Sequence, residues 1–191
     1  MIEIMAPVGC YESLAAAIQA GAGIAIAAGA FIGLYFRKAK NKVAKKLKLS
    51  KEDKEKLTVL VKIHDIGKLP VPDRIALNRN PLTLEEKTVM SLHTVKGSKI
   101  ARLSKEFKTV EKEILCHHEW WNGNGFPNGC RENEIPYISR IFALIDAYEE
   151  MTTENLFKTA LSKDDAVEEI LARAGEQFDP ELTKEFVEMM K

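Results

Sequence analysis

Residues 50–68 read Ser-Lys-Glu-Asp-Lys-Glu-Lys-Leu-Thr-Val-Leu-Val-Lys-Ile-His-Asp-Ile-Gly-Lys, and this stretch decides the fold class. Its inward side chains recur at the three- and four-residue spacing of one helix face. The residues on that face are Leu57, Leu60, Val61 and His64. Ser50 followed by Asp53 is a capping signal, and Gly67 with the prolines beyond it ends the pattern. The stretch predicts an amphipathic helix whose buried face ends in a histidine.

Helical periodicity continues along the rest of the chain, and no strand-like alternation of useful length follows residue 10. Caps and prolines predict further helices, which begin near Thr83, Thr109, Pro136, Ser162 and Asp179. The Thr83 helix is expected to carry both Val89 and His93. Residues 122–129, rich in Asn and Gly, predict a turn-rich loop. We therefore expect one all-α bundle over residues 37–191.

The length, charge and cysteine content of the chain exclude some classes of function. The chain has 191 residues, which suits a single domain. Its 28 basic and 28 acidic side chains cancel, which argues against general binding to nucleic-acid duplexes, because that needs a basic excess. Three scattered cysteines are too few for a disulfide framework and are typical of a reducing compartment.

Residues 1–36 form a separate apolar segment, rich in alanine and glycine. Leu14 to Phe36 is 23 residues without a charge, and as a helix it would reach about 35 Å, enough to span a bilayer. A basic run follows from Arg37 to Lys48, which favours a cytoplasmic position for everything after it. The alternative is a buried or interfacial segment of a soluble protein. The segment is thus either a membrane anchor or a part of the fold.

Residues 1–22 resemble the opening strand, loop and helix of collagenase-like peptidases. The matching stretches are Ile2-Glu-Ile-Met-Ala-Pro-Val-Gly9 and Glu12-Ser-Leu-Ala-Ala-Ala-Ile-Gln-Ala-Gly-Ala22. The similarity stops near Gly23, and the remainder of the barrel is absent. A fusion remnant is therefore the interpretation of this similarity.

All four histidines fall on predicted helices, and His64, His93 and His117 share faces with apolar residues. His64-Asp65 pairs an imidazole with a carboxylate, and His117-His118-Glu119 gives two adjacent imidazoles and an acid. Asp146 lies at the edge of a buried stripe, where a bare carboxylate is costly unless it meets a cation. One inward histidine is usually a core residue, and a lone Asp146 is usually solvated. Taken together, these side chains predict a metal site in the bundle core.

Mixed imidazole and carboxylate ligands suit iron, manganese, cobalt or zinc better than calcium or magnesium. Asp65 could bridge two ions through its two oxygens. A binuclear site about 3.5–4 Å across can hold a hydroxide and clamp a phosphoryl group. Lys68 could contact the phosphate and offset developing charge, or it could be a solvated loop lysine.

The ordered motifs resemble the HD-GYP family, a branch of the HD metal-dependent phosphohydrolases. The segments that carry the resemblance are His64-Asp-Ile-Gly-Lys68-Leu-Pro70, His93, His117-His118-Glu119-Trp-Trp121-Asn-Gly-Asn-Gly-Phe-Pro127, Asp146-Ala-Tyr148 and Phe178-Asp-Pro180. They cover residues 37–191. The family's HHE-x-W-D-G-x-G-Y-P signature corresponds to residues 117–127.

The resemblance implies an HD-type helical bundle, a two- or three-metal centre, and phosphodiesterase activity on cyclic di-GMP with a metal-bridging hydroxide. For this chain we expect two divalent transition-metal ions, iron or manganese. By position, the implied metal ligands are His64, Asp65, His93, His117, His118 and Asp146. Asp65 and Lys68 become the catalytic residues, and Lys68, Asn155 and Lys158 become substrate-binding residues. Separately, the cysteine usage and the basic run after residue 36 predict a cytoplasmic catalytic domain.

Four departures from the family pattern keep alternatives open. The upstream histidine that the family often carries falls near Ile32, and no histidine precedes His64. Asn122 replaces the signature aspartate, Phe126 replaces the tyrosine, and Asn155 replaces an arginine. The missing histidine and the changes at Asn122 and Asn155 favour a degenerate signalling module that binds cyclic di-GMP or a partner protein without hydrolysis. A phosphohydrolase of another nucleotide is the third alternative, and the Gly-Phe-Pro loop is a candidate site for docking a protein.

Overall fold

The computed structural model describes residues 37–76, 78, 80–153 and 159–190. In these ranges the chain is helical and has no strand beyond an isolated bridge between Ala174 and Phe178, so the predicted all-α class is confirmed. The α-helices of the described ranges are α1 (Arg37–Lys46), α2 (Lys51–Ile63), α3 (Asp73–Ala76), α4 (Leu84–Ser91), α5 (His93–Arg102), α6 (Glu111–Cys116), α7 (Tyr137–Thr152), α8 (Lys163–Ala172) and α9 (Pro180–Met190). The expected membrane span, the peptidase-like opening and the predicted substrate residues Asn155 and Lys158 lie outside the described residues.

The core forms where α2 packs against α7. Ser50 accepts a hydrogen bond from the Asp53 N–H at 3.1 Å and so begins α2 at Lys51, as predicted. The predicted inward face is fully buried at Leu57 and Leu60. It meets apolar side chains of α7, which are Ile138, Ile141, Phe142, Leu144 and Ile145. This contact fixes the end of α2, and with it the His64-Asp65 pair.

The helix predicted after Thr83 is two helices. Thr83 makes the predicted capping box with Glu86, but the chain breaks at Leu92, where ψ is −9°. The Leu92 N–H bonds to the Met90 carbonyl instead of continuing the regular helical pattern. The prediction of one continuous helix is therefore wrong, and His93 becomes the first residue of α5.

The start of α6 also differs from the sequence prediction. Thr109 does not cap it, because the Thr109 hydroxyl donates to the Glu106 carbonyl at 3.1 Å. A 3₁₀ turn over Phe107–Val110 leads into α6 instead. The later starts are confirmed: Ser162 accepts from the Asp165 N–H, and Asp179 Oδ1 accepts from the first N–H groups of α9.

A close backbone contact joins the segment after α2 to α5. Residues Ile66–Lys68 form a 3₁₀ turn that lies against α5. A Cβ atom at Gly67 would lie 1.9 Å from the His93 carbonyl oxygen and 2.4 Å from the Gly97 nitrogen. Only a glycine allows this approach, which sets the distance between Asp65 and His93.

The helix α1 ends in a Schellman motif that lacks the usual glycine. The Leu49 N–H bonds to the Ala44 carbonyl and the Lys48 N–H to the Lys45 carbonyl. Lys48 takes the left-handed position, with φ of 48°. Among the described residues, no helix has the length and apolar character needed to cross a membrane.

Candidate metal centre

Three histidines are oriented by the backbone of the helical turn that precedes them. The Nδ1–H of His64 donates to the Val61 carbonyl at 3.3 Å. In the same way, Nδ1 of His93 lies 2.8 Å from the Met90 oxygen, and Nδ1 of His117 lies 2.6 Å from the Ile114 oxygen. A carbonyl can only accept, so Nδ1 of each ring carries a proton, and a neutral ring then presents a lone pair at Nε2. This is the tautomer that a metal ligand requires.

The donor atoms of four predicted ligands converge. Suitable atoms of Asp65, His93, His117 and His118 all lie within 4.8 Å of one another. Nε2 of His93 is 3.2 Å from Nε2 of His117, and 3.5 Å from Asp65 Oδ1. Nitrogen ligands bind transition metals at about 2.1 Å, so two of them on one ion lie at most about 4.2 Å apart. The His93–His117 spacing satisfies that limit.

His64 and Asp146 lie on the other side of Asp65. Nε2 of His64 is 3.4 Å from Asp65 Oδ2 and 3.9 Å from Asp146 Oδ1. The two oxygens of Asp65 thus face different histidines, as a bridging carboxylate would. The structure therefore brings all six predicted ligand residues into one cluster, while their binding of metal stays a prediction.

The charge states of the metal-free cluster favour ligation. Burial lowers the pKa of His117 well below its usual value, lowers the pKa of His118 to about 3, and also lowers the pKa of His93. These rings are neutral at pH 7 and are able to bind a cation. Burial opposes protonation of His64 too, but the carboxylates of Asp65 and Asp146 outweigh it and raise the His64 pKa.

The carboxylates of the cluster are held in different states. Burial would raise the pKa of Asp65, yet His64 and Lys68 outweigh it and hold this pKa well below its ordinary value. For Asp146, burial dominates and raises the pKa to about 6. A nearby cation would favour the ionised form of both groups.

Two observations show that the donor set fits divalent metal. Asp65 Oδ1 is buried and makes no hydrogen bond within the described chain. The Nε2 lone pairs of His93 and His117 face each other, because both ring protons are held on the Nδ1 side. Both arrangements are unfavourable without a cation and are satisfied by one. Imidazole with carboxylate points to a transition metal rather than calcium.

The cluster opens into a cavity of about 470 Å³. His93 and His118 form part of its wall, together with Lys68, Lys87 and Phe126. Lys68 donates to Asp65 Oδ2 at 2.6 Å and remains 42% exposed, so it faces the cavity and the cluster at once. The predicted phosphate contact of Lys68 is compatible with this position and stays a prediction.

The signature loop is held by a buried acid that the sequence analysis did not assign. Glu119 is 3% exposed, and its Oε1 accepts a hydrogen bond from the Asn128 N–H at 2.7 Å. A Cβ at Gly125 would lie 2.2 Å from the Trp120 nitrogen, so the loop folds tightly over Glu119. The sequence signal that could have identified Glu119 is its position directly after the two histidines.

The loop is also fastened to the C-terminal segment. The Trp121 and Asn122 N–H groups donate to the carbonyls of Gln177 and Glu176. Below them, Arg140 pairs with the buried Asp179 at 2.8 Å, which ties α7 to the start of α9. The sequence indicates Asp179 only as a cap and as part of a family motif, and it gives no signal for Arg140. These contacts keep residues 117–126 beside the cluster.

Together, the bundle and its donor set define a helical protein with a candidate metal site. Residues 14–182 match the family model described as HD domain, so the chain belongs to that family. The motifs and the relatives place it in the HD-GYP branch, which confirms the family expected from the sequence.

Known relatives are longer than this chain. A cyclic di-GMP phosphodiesterase of Thermotoga maritima is 33% identical over 152 residues, which covers 78% of this chain and 41% of the relative. A 3'3'-cGAMP-specific phosphodiesterase of Vibrio cholerae is 33% identical over 128 residues, 66% of this chain and 24% of that protein. The chain thus spans less than half the length of these relatives.

Solved structures support the fold. An HDG"Y"P protein of Bdellovibrio bacteriovorus matches with a TM-score of 0.66 and 19% identity, covering 83% of this chain and 51% of the other. At that identity the likeness concerns the fold alone.

Proposed function

We propose that this chain is a metal-dependent phosphodiesterase that hydrolyses cyclic di-GMP. The observation that carries the proposal is the cavity of about 470 Å³, because its wall includes two histidines of the donor cluster and Lys68. A phosphodiester bound in this cavity would contact both the histidines of the donor cluster and the ammonium group of Lys68. Several relatives are named cyclic di-GMP phosphodiesterases, which supports the same substrate.

Each of the site residues has its own proposed role. We propose His64, Asp65, His93, His117, His118 and Asp146 as ligands of two ions, iron or manganese. Bound divalent ions would lower the pKa of a water molecule and neutralise phosphoryl charge. Lys68 binds the phosphate from the cavity wall, and Phe126, whose ring lies 5.0 Å from the His118 ring, bounds the space for the bases. Asn155 and Lys158 stay proposed substrate contacts.

The test is metal content combined with turnover. Protein purified without chelator and supplied with manganese or iron should convert cyclic di-GMP to the linear dinucleotide or GMP, as read by chromatography. Asp65→Asn should abolish turnover, because it removes a charge that both sides of the cluster share. The matched control is Asp164→Asn, which changes an exposed carboxylate at the start of α8. Less than one metal per chain, or full activity of Asp65→Asn, would overturn the proposal.

The cyclic dinucleotide 3'3'-cGAMP is a second candidate substrate. Relatives named as 3'3'-cGAMP-specific phosphodiesterases match this chain as well, at 33% and 28% identity. The same cluster could cleave either cyclic dinucleotide, because the bond that breaks is the same. Parallel assays with both substrates, and with linear nucleotides, identify the preferred one.

The alternative in another class is a signalling module that binds cyclic di-GMP without hydrolysis. The missing upstream histidine and the replacements at Asn122 and Asn155 favour it. Binding measured by calorimetry under metal-replete conditions, with no product formed, would decide for the module. Docking of a partner protein at Gly125-Phe126-Pro127 belongs to this alternative.

We also propose a domain boundary, a membrane contact and a cellular location. Residues 1–36 form a distinct segment before an HD-GYP-like domain of residues 37–191, and residues 14–36 contact a membrane. The catalytic domain lies in the cytoplasm. Fractionation of cells that express the full chain, with and without residues 1–36, tests all three.

A further inference from the structure

A groove lined by lysines lies between α1 and the first half of α2. Its volume is about 570 Å³, within the range of small-molecule sites. The residues that line it are Lys40, Asn41, Ala44, Lys45, Lys48, Lys54, Leu57 and Thr58. Four of these eight are cations and none is acidic, although the whole chain has a net charge of zero. The groove is therefore a local concentration of positive charge.

Two lysines of α1 that lie outside the groove contact the C-terminal helix. On α1, Lys46 pairs with Glu185 and Glu188 of α9, and Lys42 donates to the Met189 carbonyl. These contacts hold one face of α1 against the C-terminal helix. The opposite face turns its lysines into the groove.

The acids at the start of α2 are engaged as well. Glu52 pairs with Lys56 at 2.9 Å, Glu55 lies 4.0 Å from Lys51, and Asp53 accepts from the Ser50 hydroxyl. None of these carboxylates lines the groove. Among the described residues, Lys45, Lys48 and Lys54 have no acidic partner within 4.0 Å.

The groove is built from regular structure. Positions 40, 41, 44, 45 and 48 fall on one face of α1 and its end, and positions 54, 57 and 58 fall on one face of α2. Ala44 and Leu57 supply an apolar floor. Lys48 joins the wall from its left-handed position at the end of α1. Two cationic walls over an apolar floor suit a small anion better than a flat bilayer.

We infer that this groove binds a soluble small molecule that carries two or more phosphate groups. Lysine ammonium groups bind phosphate as point charges. Lys40 already donates to the Thr58 hydroxyl at 3.2 Å, whereas Lys45, Lys48 and Lys54 line the groove from its two walls. Three such charges favour an anion of more than one charge. The site is separate from the metal cluster: Lys54 and His64 are ten residues apart along α2 and its end, about 15 Å. The inference is independent of the hydrolase proposal.

Calorimetric titration with inorganic pyrophosphate is the test, on the full chain after removal of metal so that the donor cluster does not compete. Wild-type protein should bind one pyrophosphate, more weakly as salt rises. The variant Lys45→Gln/Lys48→Asn/Lys54→Gln should bind at least about tenfold more weakly, because charge-assisted contacts are lost. Asparagine is chosen at position 48 because it tolerates positive φ.

The matched control is Lys99→Gln/Lys105→Gln/Lys112→Gln, which removes three exposed lysines elsewhere and should leave binding unchanged. Circular dichroism melts check folding, and Lys45→Gln alone serves if the triple variant fails to fold. Equal binding by the groove and control variants would overturn the inference. So would absence of pyrophosphate binding together with lysine-dependent sedimentation on phosphatidylglycerol vesicles, since the partner would then be a lipid surface.

Discussion

Replacing Gly67 with alanine tests how the site is assembled. The added Cβ would stand 1.9 Å from the His93 carbonyl oxygen, whereas ordinary contacts begin at 3.4 Å. The 3₁₀ turn and α5 must therefore separate by about 1.5 Å, the difference between these two distances. The obstacle is backbone, so no side chain can rotate away to relieve it.

This separation acts directly on the donor cluster. Asp65 Oδ1 lies 3.5 Å from His93 Nε2, and a shift of that size would open the gap to about 5 Å. Two ligands of one ion cannot lie so far apart, because each bond is about 2.1 Å long. We expect metal affinity to fall about 10–100-fold, as it does when ligand support is lost. Overpacking should also lower the free energy of unfolding by about 1–3 kcal/mol.

The assay is metal content after dialysis against a graded metal buffer, with chemical denaturation of the same samples. The matched control is Gly175→Ala. Gly175 has φ of +81°, and its new methyl group would have no atom within 4 Å, so the alanine strains only its own backbone, at about 1–2 kcal/mol. It should lose stability and keep metal. If Gly67→Ala binds metal as tightly as wild type, the close contact does not set the donor positions and the reasoning fails.

Three further substitutions follow from contacts elsewhere in the fold. Lys48→Gly should raise the free energy of unfolding by about 1 kcal/mol in urea titrations, since glycine relieves the left-handed conformation; a loss would contradict the assignment of strain. Arg140→Ala should lower it by about 3–5 kcal/mol, because the buried Asp179 loses its cationic partner and keeps only the backbone N–H donors of α9, and a change below about 1 kcal/mol would refute this. Burial raises the pKa of Glu149 to about 7, above its ordinary 4.5. Between these two pH values the folded protein keeps a proton that the unfolded chain releases, so the free energy of unfolding falls as the pH rises from about 4.5 to about 7. Glu149→Gln should therefore be more stable than wild type at pH 8, by about 1–2 kcal/mol in urea titrations, with the difference vanishing near pH 4; a pH-independent difference would refute the titration.

The fold class and the order of its helices could be predicted because they depend on local signals. Ser50, Thr83 and Ser162 act as caps in the structure, as their spacing indicated. The break at Leu92 could not be predicted, because its neighbours have ordinary helix propensities. It accompanies the packing of α5 on the turn at Gly67, a long-range contact that overrides local preference.

The candidate site, like the fold, could be predicted from the sequence only in part. The identity of the six proposed ligands could be read from motifs, because they occur as short ordered segments of the sequence: His64-Asp65, His93, His117-His118 and Asp146. The two-sided position of Asp65 and the role of Glu119 under the loop depend on how separate elements meet. The lysine groove was equally hidden, because the sequence shows a basic run but does not show which lysines α9 neutralises.

The support of the three buried imidazoles comes from peptide carbonyls one turn back, at positions 61, 90 and 114. Every amino acid supplies that oxygen, so exchanging the side chains at those positions leaves the orienting bond in place. A substitution at any of these positions that leaves the backbone in place therefore also leaves the imidazole orientation in place, and none of the three rings needs a dedicated acidic side chain at its Nδ1.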